Sequence, residues 1–355
     1  MQAEHRVAQS LQVNGVEIAI EMFGHRDRPA MLLIMGAMAS MLWWPEDLCK
    51  RLSQAGFFVI RYDNRDTGRS TWYEPGEPPY GFDELAADSV AVLDQLSVPE
   101  AHIVGMSLGG MIGQLVALQY SQRVASLTAV STSPFGEDTS DLPQTTEAYM
   151  AHAAGFSAVD WADKTQVIDF MVKDARMLAG SAGSFDETAA RRFIEQDYDR
   201  TRNYPSVTNH FMLQGGNAWH GRLAELSVPL LVIHGSSDPV FPIDHGLRLA
   251  QTVDEAEFLR LEGGGHELHQ VHWDAIVTSI REHCSSGGLQ LVHDPARAGS
   301  GLVTVITPDM TRTRKQLAAA NIVLSPDLQG DYAIIAQLND PDGNAITLTE
   351  PPFGL

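Results

Sequence analysis

The sequence predicts an α/β protein: a mainly parallel sheet with helices on both faces, a helical cap inserted late in it, and a small C-terminal α+β unit. Three observations carry this reading. Short β-branched or apolar runs alternate with longer helical stretches through the first half of the 355 residues, and strands joined by helical crossovers pair in parallel. The alternation then stops between Pro134 and Leu226, where no convincing strand occurs. Finally, Ser285–Ser286–Gly287–Gly288 forms a turn-prone junction before a last stretch of different composition.

The elements follow in order. Val16–Met22, Met31–Met35, Phe57–Tyr62 and His102–Val104 read as strands, each bounded by Gly, Asp or Asn. Phe82–Leu96 carries Leu85, Val90, Leu93 and Leu96 at near-helical spacing, with Asp83 as its candidate cap. Ser126–Ser131, Pro229–His234 and Glu257–Leu261 add further buried strands. Within the insertion, Trp161–Leu178 and Glu187–Arg202 read as helices. An insertion at that point covers the carboxyl ends of the strands, where ligands bind. Its Met150, Phe156, Phe170, Met171, Phe193 and Phe211 either line an apolar pocket or pack helices together. After the junction, Gly301–Ile306 reads as a strand and Thr311–Ala320 as a helix. Tyr332–Leu338 and Ala345–Thr349 read as two more strands, turned by Asp340–Pro341–Asp342–Gly343–Asn344. The expected domains are 1–286, with the cap at about 135–227, and 287–355.

Composition narrows the function. Lys+Arg is 24 and Asp+Glu 45, a formal charge of −21, which repels phosphate backbones and anionic membranes, so no nucleic-acid or membrane partner is expected. Only Cys49 and Cys284 occur, far apart, which excludes a disulfide framework and favours a reducing compartment, hence a cytoplasmic location. Met1–Ser10 lacks the apolar core of a secretory signal. The uncharged stretch Ala30–Pro45 is too short to span a bilayer, and Ala101–Gln122 is too rich in glycine to make a good lipid-facing helix.

The sharpest motif is Gly105–Met106–Ser107–Leu108–Gly109, a G-x-S-x-G between a buried run and an apolar helical stretch. Strand, tight turn and helix is the context in which such a serine is a nucleophile. The turn strains the serine backbone and demands small neighbours, and the following helix points its positive end at developing charge. A serine hydroxyl needs a general base, and the base needs an orienting carboxylate. His266, in Gly263–Gly264–Gly265–His266 beyond a strand, is the expected base, ahead of His269 and His272 on the next segment. Asp238, after the strand ending near His234, is the expected acid, ahead of Asp244 within the next element. For the oxyanion, the backbone N–H groups of Leu108 and of Ala37, after Gly36, are the expected donors.

Ser, Asp and His in this chain order resemble the α/β-hydrolase fold superfamily over about Val13 to His283. Leu33–Ile34–Met35–Gly36, with the run from Arg61 to Ser70, is similar to the aclacinomycin methylesterase group, which hydrolyses a methyl ester on a polyketide glycoside. Many relatives carry His–Gly where this chain has Met35–Gly36; a backbone donor tolerates that change. The resemblance implies a serine hydrolase that cleaves a carboxylic ester through an acyl-enzyme, without a cofactor. Arg61–Ser70 is expected to be scaffold rather than substrate contact. A carbon–carbon bond hydrolase, a perhydrolase and a non-catalytic ligand-binding protein are the alternatives. The tail from Gly301 to Pro351 resembles one βαβββ module of the glyoxalase, or vicinal oxygen chelate, superfamily. Thr347 stands where metal-dependent members have glutamate, and the first strand lacks their histidine, so no metal is expected. A single module leaves strand edges open, which implies a homodimer through the tail unless the tail packs on its own chain or regulates the hydrolase.

Overall fold

The computed structural model describes residues 9–285 and, beyond them, residues 303–306, 313–314, 317–318, 322–326, 328–329, 334–339 and 345–350. The chain divides into two compact units, Met1–His283 and Cys284–Leu355. Eight strands make the sheet of the first: β1 (Gln9–Val13), β2 (Val16–Phe23), β3 (Ala30–Ile34), β4 (Phe58–Tyr62), β5 (Ala101–Met106), β6 (Val124–Val130), β7 (Leu230–Gly235) and β8 (Glu257–Leu261). Their spatial order is β1-β2-β4-β3-β5-β6-β7-β8. β2 is antiparallel to both β1 and β4, and every other neighbouring pair is parallel. The β1–β2 hairpin turns on Asn14 and Gly15, both at positive φ (48° and 79°), the backbone an Asn–Gly turn supplies.

β3, β4, β5 and β7 are buried at every residue, because helices cover both faces of the sheet. Those helices are α1 (Glu46–Gln54), α2 (Phe82–Gln95), α3 (Leu108–Gln119), α7 (Asp244–Thr252) and α8 (Trp273–Ser285). The expected cap of α2 is corrected. Gly81 precedes the helix and its N–H donates to Glu84 Oε2 at 2.7 Å, whereas Asp83 lies inside the first turn. Asp83 instead accepts the Gly216 N–H at 2.6 Å and Gln119 Nε2 at 2.7 Å, so a tertiary role displaces the local one.

Between β6 and β7 the chain forms no strand. It carries α4 (Glu147–Ala153), α5 (Lys164–Leu178), α6 (Glu187–Arg200) and a 3-10 stretch at Tyr204–Phe211. α5 starts later than its apolar pattern because the Asp163 side chain accepts the N–H groups of Thr165 (2.9 Å) and Gln166 (3.1 Å). Met171, Ile168, Val172, Ile194 and Val207 form a small core of this cap, with Phe156, Phe170 and Phe193 against it. Those residues therefore serve helix packing, while Met150 and Phe211 are exposed.

Among its described residues the second unit has four strands, β9 (Val303–Ile306), β10 (Leu328–Gln329), β11 (Ile334–Asn339) and β12 (Ala345–Glu350), in the order β10-β11-β12-β9. β12 is parallel to β9 and antiparallel to β11, and β11 is antiparallel to β10. Residues 313–314 and 317–318 are helical. The turn expected at Asp340–Asn344 and the expected strand start at Gly301 lie outside the described residues. Among the described residues no helix is long and apolar enough to cross a membrane, and no cluster of His, Cys, Asp or Glu could hold a metal ion.

Candidate active site

β5 ends at Met106 and α3 begins at Leu108, leaving Ser107 alone in the turn at φ 53° and ψ −121°. An L-residue held there stores about 1–3 kcal/mol, so the surroundings must fix it. They do so through the backbone. The Ser107 N–H donates to Val130 O at 2.9 Å, and the Ser107 carbonyl accepts from Gly110 N (2.9 Å), Met111 N (3.1 Å) and Thr132 Oγ1 (2.7 Å). A Cβ on Gly105 would lie 2.1 Å from Gly109 O, and one on Gly109 would lie 2.1 Å from Ile34 O. The glycines of the motif are thus demanded by close backbone approach.

β3 has β4 on one side and β5 on the other, so the strand order reverses beside it. Crevices at such switch points lie beyond the carboxyl ends of the strands. The loop after β3 runs alongside the serine turn: a Cβ on Gly36 would sit 3.1 Å from Ser107 Cβ. Ala37 follows β3 on this loop and Leu108 opens α3. Neither the Ala37 nor the Leu108 N–H donates to a backbone carbonyl among the described residues. Met38 comes next at φ 64°, and its N–H donates to His210 Nδ1 at 3.0 Å.

Asp238 follows β7 and His266 follows β8, and the structure brings them together. His266 Nδ1 lies 2.8 Å from Asp238 Oδ2, while Asp238 Oδ1 accepts the N–H groups of Val240 and Phe241, both at 2.9 Å. With Nδ1–H given to the carboxylate, Nε2 is left to accept a proton. Burial alone would raise the Asp238 carboxyl, but the His266 charge and hydrogen bond, with His234 and the Phe241 N–H, hold it below the usual carboxylate range. The His266 N–H donates to Leu178 O at 2.8 Å, so the end of α5 seats the histidine loop. A Cβ on Gly265 would fall 2.1 Å from that same carbonyl, which accounts for the glycine before His266. His269 caps the 3-10 turn Gln270–His272, and Asp244 opens α7; neither hydrogen-bonds to Asp238 or His266 among the described residues.

Sequence reasoning read the run from Arg61 to Ser70 as scaffold but did not find the partners that it binds. Asp63 Oδ1 accepts the Met41 N–H at 2.8 Å, and Asp63 Oδ2 takes Arg69 N (2.9 Å) and Arg200 Nη2 (2.7 Å). Arg65 grips Asp88 with two bonds, 2.7 and 2.9 Å. Asp66 accepts from Tyr73 N (2.6 Å), the Tyr80 hydroxyl (2.5 Å) and Asn209 Nδ2 (2.9 Å). On the cap side, Asp197 binds the Ser40 hydroxyl, and Trp43 Nε1 at 3.0 Å. Burial lifts the Asp197 carboxyl to about 6, against the pull of those two donors. The run from Arg61 to Ser70 therefore ties the loop after β3 to α6 and the 3-10 stretch. The signal was present as charges in an otherwise apolar context, but their partners are up to 157 residues away.

A serine held in a strained turn after the central strand, with an aspartate–histidine pair after β7 and β8, is the arrangement of an α/β hydrolase. Residues 29–272 match the alpha/beta hydrolase fold family, and the chain belongs to that family. It is similar to rhodomycin D methylesterase of Streptomyces sp. (strain C5), 34% identical over 269 residues that cover 71% of this chain and 90% of the relative. The rhodomycin D methylesterase of Streptomyces peucetius is also 34% identical, over 270 residues with the same coverage of 71% and 90%. Among solved structures, the esterase RhEst1 of Rhodococcus sp. ECU1013 shares the fold with a TM-score of 0.64 at 22% identity, covering 81% of this chain and 100% of that one.

Proposed function

We propose that the chain hydrolyses a carboxylic ester, of methyl-ester type, through an acyl-enzyme on Ser107. It is a carboxylic ester hydrolase, in keeping with the named methylesterases at 34% identity. In the proposed route, His266 Nε2 takes the Ser107 proton as Oγ attacks the carbonyl. The tetrahedral oxyanion is held by the Leu108 and Ala37 N–H groups, aided by the amino end of α3. Collapse breaks the ester C–O bond, and His266 returns the proton to the leaving alcohol. Water, deprotonated by His266, then releases the acid and restores Ser107. Asp238 fixes the imidazole tautomer and stabilises its charge. The observation that carries this reading is the Asp238–His266 bond, which leaves Nε2 as the proton acceptor.

The test is intact-mass analysis after a fluorophosphonate, with the native chain beside Ser107→Ala, followed by turnover of methyl esters. One adduct on the native chain, absent from the variant, together with ester turnover, is expected. An unlabelled native protein would overturn the assignment. In the second unit, a strand, a helical segment and three further strands support the reading of a single βαβββ module, half of a glyoxalase-type domain, with β9 and β10 as its edges.

A further inference from the structure

The cap holds a polar cluster that the proposed chemistry does not use. Tyr149 and His152 sit three residues apart on α4 and so share a face. The Tyr149 hydroxyl donates to Asp174 Oδ1 on α5 at 3.0 Å, and His152 Nε2 lies 3.1 Å from the same oxygen. The His152 ring is stacked on Phe170, centroids 4.6 Å apart, which fixes its aim. Both bonds fall on Oδ1, so Asp174 Oδ2 has no hydrogen-bond partner among the described residues, and no arginine or lysine pairs with this carboxylate there.

The cluster stands beside the acid–base pair. Asp174 lies one helical turn before Leu178, whose carbonyl takes the His266 N–H at 2.8 Å. At the other side, the Thr146 N–H donates to Pro239 O and the Thr145 hydroxyl to Val240 O, both at 2.9 Å, which seats the start of α4 on the Asp238 loop. α4 and α5 thus straddle the pair, and Asp174 joins them. Burial raises the Asp174 carboxyl above its usual range, although Tyr149, His152 and the charge of His266 oppose the shift. Burial also raises the Tyr149 phenol, with Asp174 and then Asp238 adding to it. A carboxylate whose side chain is only 15% exposed, with one open oxygen and no full cationic partner, is a place for a hydrogen-bond donor brought by a ligand.

We infer that Asp174, aimed by Tyr149 and His152, binds a hydrogen-bond donor on the substrate, a hydroxyl or an ammonium remote from the scissile carbonyl. The enzyme then selects polar esters over plain alkyl esters of the same size. This inference rests on the ester-hydrolase reading. The test compares kcat/KM for methyl heptanoate, methyl 6-hydroxyhexanoate and methyl 6-aminohexanoate, with shorter and longer homologues, in native protein and in Asp174→Asn. The native chain should favour the ammonium and hydroxyl esters. Asp174→Asn should cut the ammonium-to-methyl ratio by about tenfold or more, the value of a charge-assisted hydrogen bond. Because the ratio is read, a general loss of activity does not imitate the effect. Tyr149→Phe removes one of the two bonds that aim the carboxylate and should lower the ratio several-fold, which keeps the test open if Asp174→Asn fails to fold. A native protein without preference, or ratios that neither variant moves, would overturn the Asp174 assignment alone. A native protein with neither turnover nor a Ser107 adduct would overturn the hydrolase reading and this one with it.

Discussion

Replacing His210 by leucine separates two roles for the cap: roof, and organiser of the loop after β3. His210 is buried in the 3-10 stretch that follows α6. Its Nδ1 accepts the Met38 N–H at 3.0 Å, so Nε2 carries the hydrogen and donates to the Arg65 carbonyl at 2.8 Å. Only the neutral ring can do both, and burial does push this imidazole below its ordinary value. Leucine fills a similar volume with no polar atom, stranding a buried N–H and a buried carbonyl. At about 1–3 kcal/mol for each orphaned group, stability should fall by roughly 2–6 kcal/mol in urea unfolding at pH 7. Catalysis gives a second readout. Met38 holds φ 64° directly after Ala37, the proposed oxyanion donor, so a relaxed loop should misplace that N–H. Loss of one such donor costs about 10²–10³ in kcat. His210→Asn sets a carbonyl oxygen near the lost Nδ1 but no donor towards Arg65. It should regain most of kcat and only part of the stability. If leucine lowers stability while kcat on a saturating methyl ester stays within about twofold, the organising role is wrong. It is equally wrong if asparagine restores no activity.

His102, on β5, has its Nδ1 2.9 Å from Ser126 Oγ, and burial, with His283 adding, pushes its imidazole down to about 4. The folded value lies below the unfolded one of about 6.5, so the stability of the neutral ring is complete above that pH and lost as pH falls towards 4, by about 3 kcal/mol. Urea unfolding at several pH values should show the native chain losing that much relative to His102→Phe, and a constant difference would refute it. For the second unit, light scattering of the full chain at micromolar concentration should give about twice 38.8 kDa, as pairing of open strand edges requires. A monomer would remove the dimer.

Every strand of the first unit except β1 could be read from its apolar run; β3, β4, β5 and β7 are buried on both faces and leave no other pattern, whereas β8, expected to be buried, is buried only at Leu261 because it lies at the edge of the sheet. β1 is different: Gln9, Ser10 and Gln12 dilute its signal at an edge of the sheet, although Asn14–Gly15 offered a hairpin turn to find it by. At the candidate site, the serine turn, the aspartate and the histidine stood out because each sits in a glycine-marked loop just past a strand. What stayed hidden was contact across long separations. The Met38–His210 bond spans 172 residues and Ser40–Asp197 spans 157, distances over which no local pattern survives. Asp83 shows the same limit in small: a good capping residue was taken by Gly216, 133 residues on.

The two-ended attachment of the cap limits how this enzyme can be recombined. One end grips the loop after β3 and the run from Arg61 to Ser70 through Arg200, Asn209 and His210. The other grips the Asp238 and His266 loops through Thr145, Thr146 and Leu178. A chimera that imports a foreign cap between β6 and β7 while keeping the host's 61–70 segment would leave the buried Asp63 without its Arg200 partner and the buried Asp66 without the Asn209 donor. Inserted cap and distant loop form one heritable unit, though the chain writes them more than a hundred residues apart.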